Sequence, residues 1–382
     1  MGFHEFSSPY DWSRIAAYKR TAKAAFGGMI DLSVGSPVDP VPDSVRKALA
    51  VAANDPNAYG YPATAGTADL RAAIAEWFSA ARNVDLQAIH ADVVPTVGSK
   101  EGVALMASLL HFGEDDVVVQ PKVSYPTYEI GTQLAGAQVL KVDDVADVAS
   151  WRNVPGVKAV WVNSPCNPTG EVYSAERMAG IVAAVREIGA VVLSDECYAL
   201  MQWRGATNSA DDDPLQSTPC ALRSDVCAGS AEGVLVLYSL SKQSNMAGYR
   251  TAFIAGDESL IASMSAYRKQ IGQIIPGPVQ AAMAAGLRDL ESVKVQYARY
   301  RERLGVLVSA LRAYGYCTDM PDGALYVWVR AKSGDCWTDM EQLAKIGIIA
   351  SPGEFYGAPE CLRFSATASD EAIASAAERL AR

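Results

Sequence analysis

The alternation between about residues 66 and 260 constrains this chain more than any other feature. Strand-like apolar runs trade places there with helical patterns. "TADLRAAIAEWFSAAR" sets Leu70, Ala73, Ile74, Trp77 and Phe78 on one face at helical spacing. "ADVVPTV" reads as a strand, and a helix, "GSKEGVALMASLLHF", opens behind it at Gly98 and Ser99. "DDVVVQ", "AQVLKV" and "VKAVWVN" follow, then the helix "SAERMAGIVAAVREIG" and the strands "AVVLSD", "GVLVLYS" and "TAFIAG". Strands joined through helices return to the same end of a sheet and pair in parallel. The pattern predicts an α/β fold, with a mainly parallel sheet between helices. Ligands of such sheets bind at the carboxyl ends of the strands.

After about residue 276 the texture changes. "PGPVQAAMAAGLRDLESVKVQYARYRERLGVLVSALRAYG" is helical and long enough that a break or bend is expected within it. The strand "ALYVWVR", a helix near "WTDMEQLAKIG", the strand-like "CLRFSAT" and a final helix complete a smaller α+β domain. The boundaries so drawn are 1–40 for an N-terminal arm and part of the small domain, 41–275 for a large domain, and 276–382 for the small one. "DWSRIAAYKRTAKAA" and "MIDLSV" can pack with either domain. "ATNSADDDPLQSTPC" is polar and Pro-containing, and reads as a surface loop.

Composition narrows the function classes. A formal net charge of −10 argues against nucleic acid or an anionic membrane as the main partner. No apolar run is long enough to span a bilayer, and the start shows no signal-peptide pattern. The seven cysteines form no C-x-x-C pair, and the three histidines are scattered, so no metal site is expected. A reducing cytoplasm fits best. Small anionic substrates stay open, because an acidic surface can still hold a cationic pocket.

The strand ends collect the chemistry. Behind them stand Gly98, Ser99 and Lys100; Tyr125; Asn167 in "NPTG"; Asp195 and Tyr198; and Ser239, Ser241, Lys242 and Arg250 in "SLSKQSNMAGYR". Each has an ordinary reading: a helix cap, a turn, a surface charge, a lysine snorkelling to water. Together they set an amine, a carboxylate, an amide, phenols and a helix start around one crevice, which suits pyridoxal phosphate. A desolvated lysine amine forms an imine with an aldehyde cofactor. The cofactor's ring nitrogen must stay protonated, which needs an acidic partner, and Asp195 is the candidate. Asn167 and Tyr198 suit the ring oxygen. Backbone N–H groups of Gly98, Ser99 and Lys100, with Arg250 and the Ser239 and Ser241 hydroxyls, suit the phosphate. Tyr125 suits the ring face.

The chain resembles a fold-type I pyridoxal phosphate enzyme of the class I/II aminotransferase family, over nearly its full length and with the motifs in the family's order. "LSVGSP", "YGYPATAGTADLR", "VSYPTYE", "NSPCNPTG", "SDECY", "SLSKQSNMAGYR" and "CLRFSAT" carry the likeness. It implies that domain 41–275 binds the cofactor and that Gly35 lies by the substrate carboxylate. It implies that Tyr61 reaches a neighbouring subunit's phosphate in a homodimer. It further implies that Arg363 grips the α-carboxylate, and that Lys242, with Asp195 and Tyr198, does the catalysis. Gln243 and Asn245 stand where many relatives carry small residues or glycine.

Spacing does not separate amino transfer from β-elimination, decarboxylation or racemisation; the resemblance favours an aminotransferase working on amino and keto acids. "DLSVGSPVDPVP", "YPTYEIG" and "YRKQIGQIIPGPVQAAM" look most like the actinobacterial N-succinyldiaminopimelate aminotransferases of lysine and diaminopimelate biosynthesis. The expected donor is L-glutamate and the expected acceptor N-succinyl-2-amino-6-oxopimelate, with Tyr267, Arg268, Lys269, Gln270 and Gln273 reading its distal end. Another amino-acid aminotransferase and a C–S lyase on the same fold are the alternatives. A ligand-sensing regulator fits less well, since the motifs begin by about residue 30 and the charge is acidic.

Overall fold

The structure is a computed structural model that describes residues 11–203 and 218–382. Its strands are β1 (Ile30–Asp31), β2 (Ala91–Val97), β3 (Val117–Pro121), β4 (Gln138–Val142), β5 (Val157–Asn163), β6 (Val191–Asp195), β7 (Val234–Ser239), β8 (Thr251–Asp257), β9 (Tyr326–Arg330), β10 (Ile348–Ile349), β11 (Ser351–Pro352) and β12 (Cys361–Ser365). Seven form one sheet in the order β2-β8-β7-β6-β5-β3-β4. Pairings from β7 through β4 are parallel. β8 runs antiparallel to both β7 and β2. Residues 240–250, between β7 and β8, are too few for a parallel crossover, which takes a dozen or more. The chain is an α/β protein with a mainly parallel central sheet.

The central strands are apolar at nearly every position because both faces are covered. Alternation divides them between two cores: Val234, Val236 and Tyr238 of β7 face one, Leu235 and Leu237 the other. β5 behaves alike, with Val160 and Val162 on one side and Ala159 and Trp161 on the other. Covered faces leave only the strand ends for polar chemistry.

The expected break in the long helical stretch falls at Asp289. Helix Gly277–Arg288 stops there, and the Asp289 carboxylate caps helix Leu290–Ala313 by accepting from Ser292 N at 3.0 Å. Gly277–Arg288 lays Ala282, Met283 and Leu287 against the core beneath helices Asp43–Ala53 and Ala68–Arg82. Leu290–Ala313 instead packs on a second assembly, a three-stranded antiparallel sheet in the order β11-β12-β9. The N-terminal stretch joins that second assembly: β1 pairs with β10, and Ile15, Ala22, Ile30 and Leu32 share its core.

The expected surface loop needs correction at its end. Residues 204–217 lie outside the described residues, but Thr218 and Cys220 are buried. They are drawn in by an ion pair between Arg82 and Glu196, both nearly inaccessible, 2.8 Å apart. Thr218 Oγ1 accepts from Arg82, and Ala221 N donates to Glu196. No helix among the described residues is long and apolar enough to cross a membrane.

Candidate active site

A cavity of about 400 Å³ opens where the carboxyl ends of β5, β6 and β7 meet β9, β12 and the strip at residues 34–36. The sheet order arranges its chemistry in space. Along β2-β8-β7-β6-β5, the edge presents Ser99, then Arg250, then Ser239, Ser241 and Lys242, then Asp195, then Asn163 and Asn167. Hydroxyls and a guanidinium therefore stand at one end, a carboxylate towards the other, and the amine between them.

Asp195 ends β6. Its Oδ2 accepts from Tyr128 Oη at 2.7 Å, and its Oδ1 accepts from Cys197 N at 3.1 Å. Burial pushes this carboxyl above its ordinary range, against the pull of those hydrogen bonds. A cationic ring N–H brought against it would offset that burial cost. Asn163, closing β5, donates from Nδ2 to Asp195 O at 2.9 Å and accepts Asn167 N at 2.8 Å. That residue locks the Asn167 turn to β6.

Lys242 sits in a short helix, Leu240–Gln243, whose start is capped by Ser239 Oγ accepting Ser241 N at 3.1 Å. Its ammonium donates to the Gly35 carbonyl. Desolvation holds the lysine below its ordinary pKa; Tyr326 opposes that shift, while the Arg363 and Arg250 cations reinforce it. Across the cavity Arg363 donates to Asn167 Oδ1 at 2.7 Å and to Ser33 O at 2.8 Å. Its guanidinium lies 4.0 Å from the Tyr326 ring centre and 4.8 Å from that of Tyr356. Tyr326 Oη and Tyr198 Oη are 2.6 Å apart and share a hydrogen bond, and burial pushes the Tyr198 hydroxyl far above its ordinary pKa, so it stays a neutral phenol. Gly35 is glycine for space: a Cβ there would overlap the Tyr326 hydroxyl.

At the cationic end, helix Ser99–Leu109 opens at Gly98 with no side-chain cap on its first N–H groups. Gly98 has φ 76° and ψ 155°, and a Cβ there would overlap the Arg250 guanidinium. The absent side chain lets the Arg250 guanidinium lie against the start of the helix, so a cation and backbone donors stand side by side. Lys100 is exposed at its rim. Tyr125 lines the cavity too.

The cavity thus gathers Gly35, Ser99, Lys100, Tyr125, Asn167, Asp195, Tyr198, Ser239, Ser241, Lys242, Arg250 and Arg363. Gly98 stands behind Arg250. Tyr61 is fully exposed and lies apart from this chain's own cavity. Arg268 does not fit the distal-end role: it is fully buried and bidentate to Glu101, at 2.7 and 3.1 Å. It neutralises an acid in the first turn of helix Ser99–Leu109. Asn163, Cys197 and Tyr326 line the cavity without having been singled out by sequence. Asn163 was visible as the last residue of "VKAVWVN", whereas Tyr326 looked like plain strand.

An amine flanked by an anion cradle and a buried carboxylate, facing a fixed guanidinium, defines an enzyme that holds a phosphorylated aldehyde beside a carboxylate-bearing substrate. The chain belongs to the aminotransferase class I and II family, whose model it matches over residues 27–380. It is 40% identical to the 4-dedimethylamino-4-oxo-anhydrotetracycline transaminase OxyQ of Streptomyces rimosus, over 97% of this chain and 98% of that one. It is 39% identical to a probable aminotransferase of Mycobacterium tuberculosis, covering 97% of this chain and 84% of that one. A probable N-succinyldiaminopimelate aminotransferase from Thermus thermophilus superposes with TM-score 0.81 at 27% identity, over 97% of this chain and 99% of that one. The protein is a pyridoxal phosphate-dependent aminotransferase, acting on amino and keto acids.

Proposed function

We propose that this aminotransferase takes the amino group of L-glutamate and delivers it to N-succinyl-2-amino-6-oxopimelate. The observation that carries the reading is the meeting of Lys242, Asp195, Asn167 and Arg363 around one cavity. Pyridoxal phosphate, when bound, supplies the electron sink that lets an α-proton leave. Asp195 holds the ring nitrogen's proton, Asn167 and Tyr198 donate to the ring oxygen, and Tyr125 covers a ring face. The N–H groups of Ser99 and Lys100, behind a Gly98 whose own N–H is spent on Thr96 O, would hold the phosphate with Ser239, Ser241 and Arg250. Arg363 takes the α-carboxylate with a fork already oriented by Asn167 and Ser33. Lys242, held below its ordinary pKa by desolvation, moves the proton.

The acceptor assignment draws support from the segments quoted above and from the likeness to the Thermus thermophilus protein. A second reading is favoured by the 40% identity to OxyQ: an acceptor of the kind in that enzyme's name, 4-dedimethylamino-4-oxo-anhydrotetracycline. The protein works as a homodimer in which Tyr61 completes the neighbouring subunit's phosphate seat. Its full exposure here supports that role.

The test is a spectrum of the cofactor-loaded protein before and after L-glutamate, with no keto acid present. The yellow absorbance is expected to disappear, and N-succinyl-2-amino-6-oxopimelate is expected to restore it faster than pyruvate, oxaloacetate or the oxo-anhydrotetracycline. A yellow protein that ignores glutamate would overturn the donor assignment. Release of pyruvate from a sulfur amino acid would move the protein to the lyases.

A further inference from the structure

Gln243 and Asn245 follow Lys242 closely in the chain, and each makes specific contacts. Gln243 accepts from Tyr238 Oη at 2.7 Å and donates to Gly286 O at 3.3 Å, fastening the lysine loop to helix Gly277–Arg288. Asn245 sits in the left-handed region at φ 55°. Its Nδ2 donates to Pro40 O at 3.2 Å and to Gln296 Oε1 at 3.0 Å.

Helix Leu290–Ala313 supplies the other half. Gln296, Tyr300 and Arg303, spaced four and three apart, share one buried face. Tyr300 Oη lies 3.1 Å from Asn245 Oδ1 and 3.3 Å from Lys242 O, its single proton shared between them. Gln296 Nε2 donates to Asp39 at 2.9 Å. Arg303 holds both Asp39 oxygens at 2.8 Å and Asp370 at 2.6 Å. One helix face therefore grips two things: the loop carrying Lys242 and the far end of the strip at residues 33–40.

The near end of that strip is the cavity wall. Ser33 O receives Arg363, and Gly35 O receives Lys242. Only the residues from Ser33 to Pro40 lie between, so a displacement at Pro40 has little chain in which to dissipate before Gly35 and Ser33. We propose that Asn245, Gln296, Tyr300 and Arg303 are positioning residues that set the gap between the Lys242 amine and the Arg363 guanidinium, and so the affinity for the substrate carboxylate. The inference rests on the reading of Arg363 as the carboxylate's anchor. It predicts an effect on binding rather than on the chemical step, because none of the four lines the cavity.

The experiment uses the full chain loaded with pyridoxal phosphate. Asn245→Gly deletes the amide and leaves the backbone content, since glycine accepts φ 55° without strain. Tyr300→Phe deletes one hydroxyl. KM and kcat are measured with L-glutamate, thermal melts are recorded, and the dissociation constant of glutarate, an unreactive dicarboxylate, is taken by calorimetry. Both variants are expected to raise KM and the glutarate constant by about five- to tenfold with kcat within about twofold. Asn245→Asp, which keeps the acceptor for Tyr300 but loses the donor to both Pro40 and Gln296, is expected to raise both constants as well. Unchanged KM and glutarate binding in a folded Asn245→Gly protein would overturn the proposal, as would a lowered kcat at constant KM. A wild-type protein inert to glutamate would overturn the proposed function and this inference with it.

Discussion

At the residue scale, the site carries charge where folding alone would not put it. Lys242 is held below its ordinary pKa by desolvation, so between that lowered value and the ordinary one the unfolded chain binds more protons than the folded one. Stability of the cofactor-free protein should therefore rise with pH towards the lysine's ordinary value of about 10.4. Lys242→Met should raise the neutral-pH Tm of the cofactor-free protein, an advantage that shrinks as pH rises, while lowering kcat by about 10²- to 10⁴-fold or more. Asp195 is shifted upward by burial, so its folded form holds a proton more tightly than its unfolded form. Asp195→Asn should likewise raise the Tm of the cofactor-free protein at neutral pH, by relieving a cost that grows as pH climbs through the raised pKa, yet weaken cofactor retention on dialysis. A lower Tm for both variants across the pH range would contradict this. These two residues were legible because strand ends are the polar edge of a covered sheet. Tyr326 was not, because the residue it bonds, Tyr198, is 128 positions away and its own strand alternates like any other.

At the element scale, the period of the apolar pattern carried most of the large sheet. β5 coincides with "VKAVWVN" because Val157, Val160 and Val162 meet one core and Ala159 and Trp161 the other. Helices Asp43–Ala53 and Thr127–Leu134 escaped sequence reading. The first buries only Val45 fully, and the second is short and begins behind a proline, so neither shows a broad apolar stripe. The Gly98 turn is the element on which the anion cradle depends. Its φ of 76° with ψ of 155° lies in a region that only glycine occupies readily, at a cost of about 1–3 kcal/mol for other residues. Gly98→Ala should weaken pyridoxal phosphate binding by at least about tenfold, because the new methyl also displaces Arg250. Fluorescence titration of the cofactor-free protein checks this. Equal affinity would mean that the helix start and Arg250 are not the phosphate seat.

At the scale of the whole molecule, the strip at residues 33–40 links the seven-stranded and three-stranded sheets through Lys242 and Arg363, and a second copy is expected to finish what one chain begins. Tyr59 and Tyr61 are almost entirely exposed, an unusual state for two neighbouring aromatic rings in a protein that buries Tyr128, Tyr238, Tyr300 and Tyr326 almost completely. If Tyr61 serves the neighbouring subunit, the two halves of a site can be broken in separate chains and restored by mixing. Lys242→Ala protein has no amine in its own cavity but offers an intact Tyr61. Tyr61→Ala protein has the amine but offers nothing across the interface. In a mixed dimer, the cavity of the Tyr61→Ala subunit would hold its own Lys242 and receive its partner's tyrosine, so one of the two sites is whole. Co-refolded or co-expressed mixtures should therefore show a lower KM for pyridoxal phosphate and more activity than the sum of the two variants measured apart. Activity equal to that sum, in a sample that light scattering shows to be dimeric, would mean that Tyr61 acts within its own chain or not at all.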